Sequence, residues 1–214
     1  MTLVVATRNL GKLTELRTLL AGLPVAVVAV TDVVPGMPAV EETGSTFAEN
    51  AILKARAVSS ATHLVTLADD SGLEVDALGG RPGVRSARFA HEGATDSENN
   101  AELLSALQEV EDSQRSARFR CVMALVDPFG EEAPFLTEGT CEGSIARSTR
   151  GLGGFGYDPI FVVEELARTL AELGEEEKNE VSHRGKAMRA MRGVIEALVR
   201  TRKLEAETIL AGPA

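Results

Sequence analysis

Tryptophan is absent from this chain of 214 residues and tyrosine occurs once, so aromatic stacking platforms are few. Any aromatic residue in a pocket is therefore informative. Cysteine occurs only twice, at Cys121 and Cys141, which excludes a disulfide-rich scaffold and a cysteine-based zinc site and points to the cytoplasm. No apolar run approaches the length of a membrane span. The opening MTLVVATRN has no basic region and no long apolar segment, so it reads as a first strand and not as a signal peptide. Positive charge is also in deficit. The net charge of −10 disfavours duplex nucleic acid, whose phosphates need a basic surface, but leaves room for a small phosphate-bearing ligand held by local cations. Internal repeats and low-complexity linkers are missing too.

What remains is a globular composition, 44% hydrophobic, with enough chain to bury a real core as one domain over residues 1–214. Leu3 to Ala6 suits a buried strand. Leu13, Leu16, Leu19 and Leu20 recur at helical spacing before Gly22 and Pro24 stop the helix. Val25 to Val30 reads as a second strand. Thr46 with Glu49, and Thr95 with Glu98, form capping-box patterns opening two helices, the first running to about Ala61. Leu64 to Ala68 reads as a strand that ends at Asp69 and Asp70 in a Ser-Gly turn. Arg118 to Asp127 and Pro134 to Ile145 read as long strands, and the last large helix begins after Ser182. The acidic run Glu175 to Glu177 reads as a solvated loop. Strands alternating with helices, then a long hairpin, predict an α/β fold with a mixed sheet.

Five stretches carry candidate chemistry. ATRNLGK, from Ala6 to Lys12, turns a strand into a helix whose N-terminus, with Lys12, suits an anion. It is not a Walker A loop, because Leu13 follows the lysine and Ala6 stands where the first glycine belongs. In EETGSTFAENAILKA, Asn50 and Lys54 share a helix face that can meet a phosphate. The adjacent Asp69 and Asp70 are open to three readings: a solvated turn, a helix cap or a metal site. Asp70, with Glu41 or Glu42 arriving from the earlier loop, offers the hard oxygen ligands that suit Mg²⁺. In GGFGYDPIF, Phe155 and Tyr157 are flanked by glycines that let a ligand approach, and a ring face there can stack on a base. In KNEVSHRGKA, His183 and Arg184 lie in the first turn of a helix, where basic residues oppose the helix dipole and so suggest donors kept for use. Phosphate grips, metal carboxylates, a stacking ring and base-edge donors together describe a nucleoside triphosphate and water.

With those residues in place, the chain resembles the inosine triphosphate pyrophosphatase family. The shared patterns run in order over nearly the whole length: T-x-N-x-x-K at Thr7 to Lys12, EETGxTFxENAxxKA at Glu41 to Ala55, ADDSGLxVxxLGGxPGVxSARFA at Ala68 to Ala90, GGFGYDPIF at Gly153 to Phe161, and SHRxKA at Ser182 to Ala187. The resemblance implies hydrolysis of dITP, ITP, XTP and dXTP to monophosphate and pyrophosphate. It implies an elongated α/β fold with a long mixed central sheet, flanking helices and two lobes around a substrate cleft, usually as a homodimer. It assigns the turn Thr7, Arg8, Asn9, Leu10, Gly11 and Lys12 to substrate, with Lys12 on the phosphates. Asp70 would be proton acceptor for the attacking water and a magnesium ligand with Glu41 or Glu42. Lys54 and Ser71 would touch substrate. Phe155, Gly156, Tyr157 and Asp158 would contact base and sugar, and Lys178, His183 and Arg184 would complete the base pocket. A related pyrophosphatase preferring modified pyrimidines, and a regulatory nucleotide-binding module without turnover, are the competing readings.

Overall fold

The computed structural model describes residues 1–130 and 133–211; the single-domain expectation over 1–214 therefore includes residues outside the described set. In chain order the elements are β1 (Thr2–Val5), α1 (Leu10–Leu20), β2 (Ala26–Ala29), α2 (Val30–Val33), α3 (Phe47–Thr62), β3 (Val65–Val75), α4 (Asp96–Ala106), β4 (Ser116–Val126), β5 (Phe135–Ile145), β6 (Phe161–Val163), α5 (Glu175–Val181) and α6 (His183–Ala211). The six strands form one sheet in the order β2-β1-β3-β4-β5-β6. β1 runs parallel to both β2 and β3, and the remaining pairs are antiparallel, so the sheet is mixed as expected. No helix among the described residues is long and apolar enough to cross a membrane.

Three of the strands have 11 residues each, a length of about 35 Å at the usual rise. They outrun their shorter neighbours and carry two packing regions. At one end, α1 and α6 cover one face through Leu13, Leu16, Met188 and Met191, and α3 covers the other through Phe47, Ala51, Ala55 and Val58. At the other end, Leu73, Phe119, Leu103, Tyr157, Ile160 and Phe161 form a separate core. These are the two lobes, and β3, β4 and β5 run through both.

The main correction concerns β3. The strand does not stop at Ala68 in a Ser-Gly turn; it continues through Asp69, Asp70, Ser71 and Gly72 to Val75, paired with β4 over its length. Asp, Ser and Gly are turn formers by local preference, but ten consecutive register partners on β4 override that preference. Gly72 serves close packing instead of a turn, because a Cβ there would lie 2.4 Å from the Gly83 carbonyl oxygen and 2.6 Å from Ser86 Oγ. A second correction is that Glu175, Glu176 and Glu177 form the first turn of α5, where acidic side chains favour the helix dipole.

Candidate active site

The continuation of β3 explains how two adjacent carboxylates coexist. Successive side chains of a strand point to opposite faces. Asp69 therefore points toward α1 and α6, and Asp70 toward α3. Asp69 Oδ2 meets Lys12 Nζ at 3.0 Å and Arg184 Nε at 3.4 Å. Asp70 Oδ1 accepts from Lys54 Nζ at 3.0 Å, and its Oδ2 accepts from Asn50 Nδ2 at 3.2 Å. Each carboxylate makes its direct ion pairs with different cations, on opposite faces of the sheet.

Both faces reach one cleft because β1 is short. β1 pairs with β3 only from Leu3 to Val5, and β3 runs on past that end to Val75. The cleft lies beside this open stretch of strand. Its cavity of about 330 Å³ is lined by Thr7, Arg8, Asn9, Lys12, Glu42, Lys54, Asp70, Ser71, Asp96, Phe119, Phe155, Gly156, Tyr157, Asp158, Lys178, His183 and Arg184, among others.

Local chemistry builds each wall. Asn9 caps α1, its Oδ1 accepting from the Lys12 amide at 3.0 Å, which places the Lys12 side chain at the cleft. Thr46 and Glu49 form the expected capping box of α3. Asn50 then ties the preceding loop to the strand: its Oδ1 accepts from the Gly44 amide at 2.8 Å while its Nδ2 holds Asp70. The same loop delivers Glu42, whose Oε1 lies 2.7 Å from Lys54 Nζ. Glu41 is exposed and outside the lining. The structure thus separates the two glutamates that the motif left equivalent.

The opposite wall is a chain of buried ion pairs. Arg184 Nη1 reaches Glu15 Oε2 at 2.5 Å, Glu15 Oε1 meets Lys178 Nζ at 2.6 Å, and Lys178 Nζ meets Asp158 Oδ2 at 2.7 Å. Asp158 Oδ2 also accepts from the Phe155 amide at 2.9 Å, which anchors the glycine-rich loop. The Phe155 ring lies over both cations, 4.9 Å from Lys178 Nζ and 5.5 Å from Arg184 Cζ. His183 stacks on Phe119, with centroids 4.6 Å apart and planes 11° apart.

These surroundings set the protonation states. Burial alone would raise the Asp69 carboxyl, but the positive charges of Lys12, Arg184 and Lys54 outweigh it and hold that carboxyl well below its usual range. Asp70 goes the other way: burial raises it, and Lys54 offsets only part of that rise. A raised carboxylate is the better proton acceptor. Burial, reinforced by Arg184, Lys178 and Lys12, keeps His183 neutral, far below the usual imidazole value. His183 and Arg184 do stand in the first turn of α6, but the expected opposition to its dipole is largely relieved. His183 is uncharged, Arg184 is neutralised by Asp69 and Glu15, and the Ser182 hydroxyl accepts from the Gly185 amide at 3.1 Å as a cap.

Several expected site residues sit elsewhere. Leu10 projects into solvent at 77% exposure and does not line the cavity. Gly11 also lies outside the lining; a Cβ there would be 2.6 Å from the Phe155 ring, so its role is to let that ring lie on the start of α1. Tyr157 borders the cleft, but its hydroxyl is committed to the Ser86 carbonyl at 2.8 Å across the second lobe. Sequence reasoning missed Glu15, which reads as an ordinary polar position of an amphipathic helix; its spacing of three from Lys12 is the only local hint. It also left Asp69 without a role of its own.

The fold and cleft define an α/β protein with a cavity of about 330 Å³ lined by Lys12, Lys54, Lys178 and Arg184, with a carboxylate on its wall whose pKa burial raises. The chain belongs to the Ham1 family, whose model matches residues 3–194. A relative from Desulforamulus reducens named dITP/XTP pyrophosphatase is 52% identical over 198 residues, 92% of this chain and 97% of its own. The solved structure of a HAM1 protein from Coxiella burnetii aligns with a TM-score of 0.83 at 47% identity, covering 91% of this chain and 98% of that one. A crystal structure from Mycobacterium abscessus titled nucleoside-triphosphatase / dITP/XTP pyrophosphatase aligns with a TM-score of 0.70 at 49% identity, covering 89% and 98%.

Proposed function

We propose that this protein hydrolyses the non-standard purine nucleoside triphosphates dITP, ITP, XTP and dXTP to monophosphate and pyrophosphate, removing them from the nucleotide pool. The names of relatives about half identical over nearly full length support the substrate class. The observation that carries the chemistry is the meeting of Lys54 with both Glu42 and Asp70, at 2.7 and 3.0 Å, on the wall of a cleft that also holds Lys12 and Arg8.

In this reading Lys12, Lys54 and Arg8 take the polyphosphate, where cations can neutralise charge that builds up in the transition state. Asp70 takes the proton of the attacking water. Asn50 fixes one of its oxygens, which keeps the other oriented toward the Lys54 side. Asp70 and Glu42 also fit a magnesium ion: the Lys54 ammonium already sits between these two carboxylates, and Mg²⁺ needs only one or two of them plus substrate phosphates. When bound, the ion supplies further charge neutralisation and an ordered water. At the far end, Phe155 stacks on the purine, while Lys178, His183 and Arg184 face its edge. A site whose donors are matched to a 6-oxo group leaves them unpaired against a 6-amino base, which can cost roughly 10⁴ to 10⁵ in specificity at best. Ser71, Gly156 and Asp158 complete the contacts, the last by holding Lys178.

The test is pyrophosphate release from ITP, dITP, XTP, dXTP, ATP, GTP and modified pyrimidine triphosphates, with magnesium and with excess EDTA. Release from the first four, dependent on magnesium, is the expected result. Preference for ATP or for a pyrimidine, or binding without turnover, refutes the reading. The family resemblance adds a homodimer, checked by light scattering; the two cysteines favour residence in the cytoplasm, checked by fractionation, and the net charge of −10 argues against nucleic acid as a partner.

A further inference from the structure

Asp69 carries all its partners on one oxygen. Oδ2 accepts from Lys12 Nζ at 3.0 Å, from Arg184 Nε and Nη2 at 3.4 Å each, and from Ser71 Oγ at 3.4 Å. Oδ1, buried to the same depth, has no partner among the described residues. A carboxylate has about four lone-pair sites over two oxygens, so four donors overfill one of them. Three of the four contacts lie at the long limit for a hydrogen bond, as crowding at a single acceptor produces. Lys12 and Arg184 both line the cleft, but Asp69 does not, and its side chain is fully buried. Lys12 comes from the first turn of α1 and Arg184 from the first turn of α6, beneath Phe155. Two cations of the cavity lining, brought by different helices, therefore compete for the same hidden oxygen.

We infer that Asp69 is a positioning residue that couples phosphate binding to base binding. The inference rests on the nucleotide reading of the cleft and adds a mechanism to it. When phosphate oxygens draw Lys12 away, competition at Oδ2 falls. The Arg184 contacts to Asp69 then shorten toward the charge-assisted range of about 2.8 Å. Arg184 is thereby held between Glu15 on one side and Asp69 with Ser71 on the other before the base arrives. The base meets donors already in place, and less ordering is left for its binding to impose. Linkage requires the converse by the same factor: a bound base strengthens the phosphate grip. Neither ligand touches Asp69, so a base of the wrong edge is penalised at the phosphate end as well.

The experiment is calorimetric titration of the full chain with inosine and with pyrophosphate, at fixed magnesium chloride, each alone and in the presence of the other. In the parent, each ligand is expected to tighten the other by at least about fivefold, the lower end of allosteric couplings. Asp69→Asn should bind each ligand alone but show a coupling factor near one. Lys12→Met, which keeps Asp69 and removes its competitor, should bind inosine without pyrophosphate as tightly as the parent does with it. That variant serves even where Asp69→Asn fails to fold. If inosine and pyrophosphate bind the parent independently, the coupling is refuted while the nucleotide reading stands. Coupling that survives Asp69→Asn, or Lys12→Met that leaves inosine affinity at the parent's uncoupled value, also overturns it. If neither ligand binds the parent, the nucleotide reading fails and takes the inference with it.

Discussion

Replacing Asp70 with Asn separates chemistry from architecture, because the two effects differ in size. In the parent, Oδ1 accepts from Lys54 and Oδ2 from Asn50. The Asn side chain has one oxygen and one amide nitrogen, so one of those two donors must face another donor. Leaving a buried donor unsatisfied costs about 1–3 kcal/mol. The electrostatic part softens this loss at neutral pH, since burial already disfavours the Asp70 anion in the folded state. Lys54 also keeps Glu42 as a counterion. The variant should therefore fold, with its stability lowered by no more than about 3 kcal/mol. Turnover should suffer more. Loss of a positioned general base lowers rates by roughly 10² to 10⁴, or about 3–5 kcal/mol of barrier. The assays are urea unfolding followed by circular dichroism, and kcat for pyrophosphate release from ITP between pH 5 and 9. Asp70 must be ionised to accept a proton, so the parent's kcat should decline as pH falls through its raised pKa, and Asp70→Asn should lack that acid limb. A folded Asp70→Asn with kcat within a few-fold of the parent, or one that keeps the limb, refutes Asp70 as the base.

Three other outcomes follow from the packing. His183 is held neutral with a pKa well below the ordinary 6.5, so its contribution to stability is complete above pH 6.5 and is lost as pH falls below it. Urea unfolding should show the parent losing up to about 1.4 kcal/mol per pH unit below that point from this group, and His183→Gln losing less; parallel curves would refute the assignment. Gly139 lies where α6 crosses β5, and a Cβ there would fall 2.2 Å from the His183 carbonyl oxygen and 2.5 Å from the Ala187 amide nitrogen. Gly139→Ala should destabilise by roughly 1–3 kcal/mol and also reduce ITP turnover, because the displaced turn carries Arg184; unchanged activity and stability would refute that link. Burial pushes the Cys121 thiol up to about 12 and the Cys141 thiol up to about 11, so the native protein should not react with a thiol reagent at pH 8, whereas two thiols should react in urea.

Local sequence determined a good deal of this protein. Capping boxes at Thr46 and Thr95 and leucine spacing in α1 located helices, because those signals act within one or two turns of chain. The ordered motifs also named most of the polar residues that line the cleft, Lys12, Glu42, Lys54, Asp70 and Arg184 among them, but not its apolar lining from Val30, Met37, Val40 and Val58 or the Asp96 and Asn99 of α4. Tertiary structure decided what those residues do to one another. Asp-Asp-Ser-Gly has the local preference of a turn, and only pairing with β4 makes it a strand that sends Asp69 and Asp70 to opposite faces. Glu41 and Glu42 are equivalent neighbours in sequence; the Asn50 bond to Gly44 sets the loop that turns Glu42 inward. Glu15 looks like a helix surface residue until Arg184 and Lys178, more than 160 positions away, close on it. Charges buried in pairs obey no short-range rule: desolvation and Coulomb attraction depend on which partners the fold brings within a few ångströms, and that is settled only when the sheet and α6 are in place.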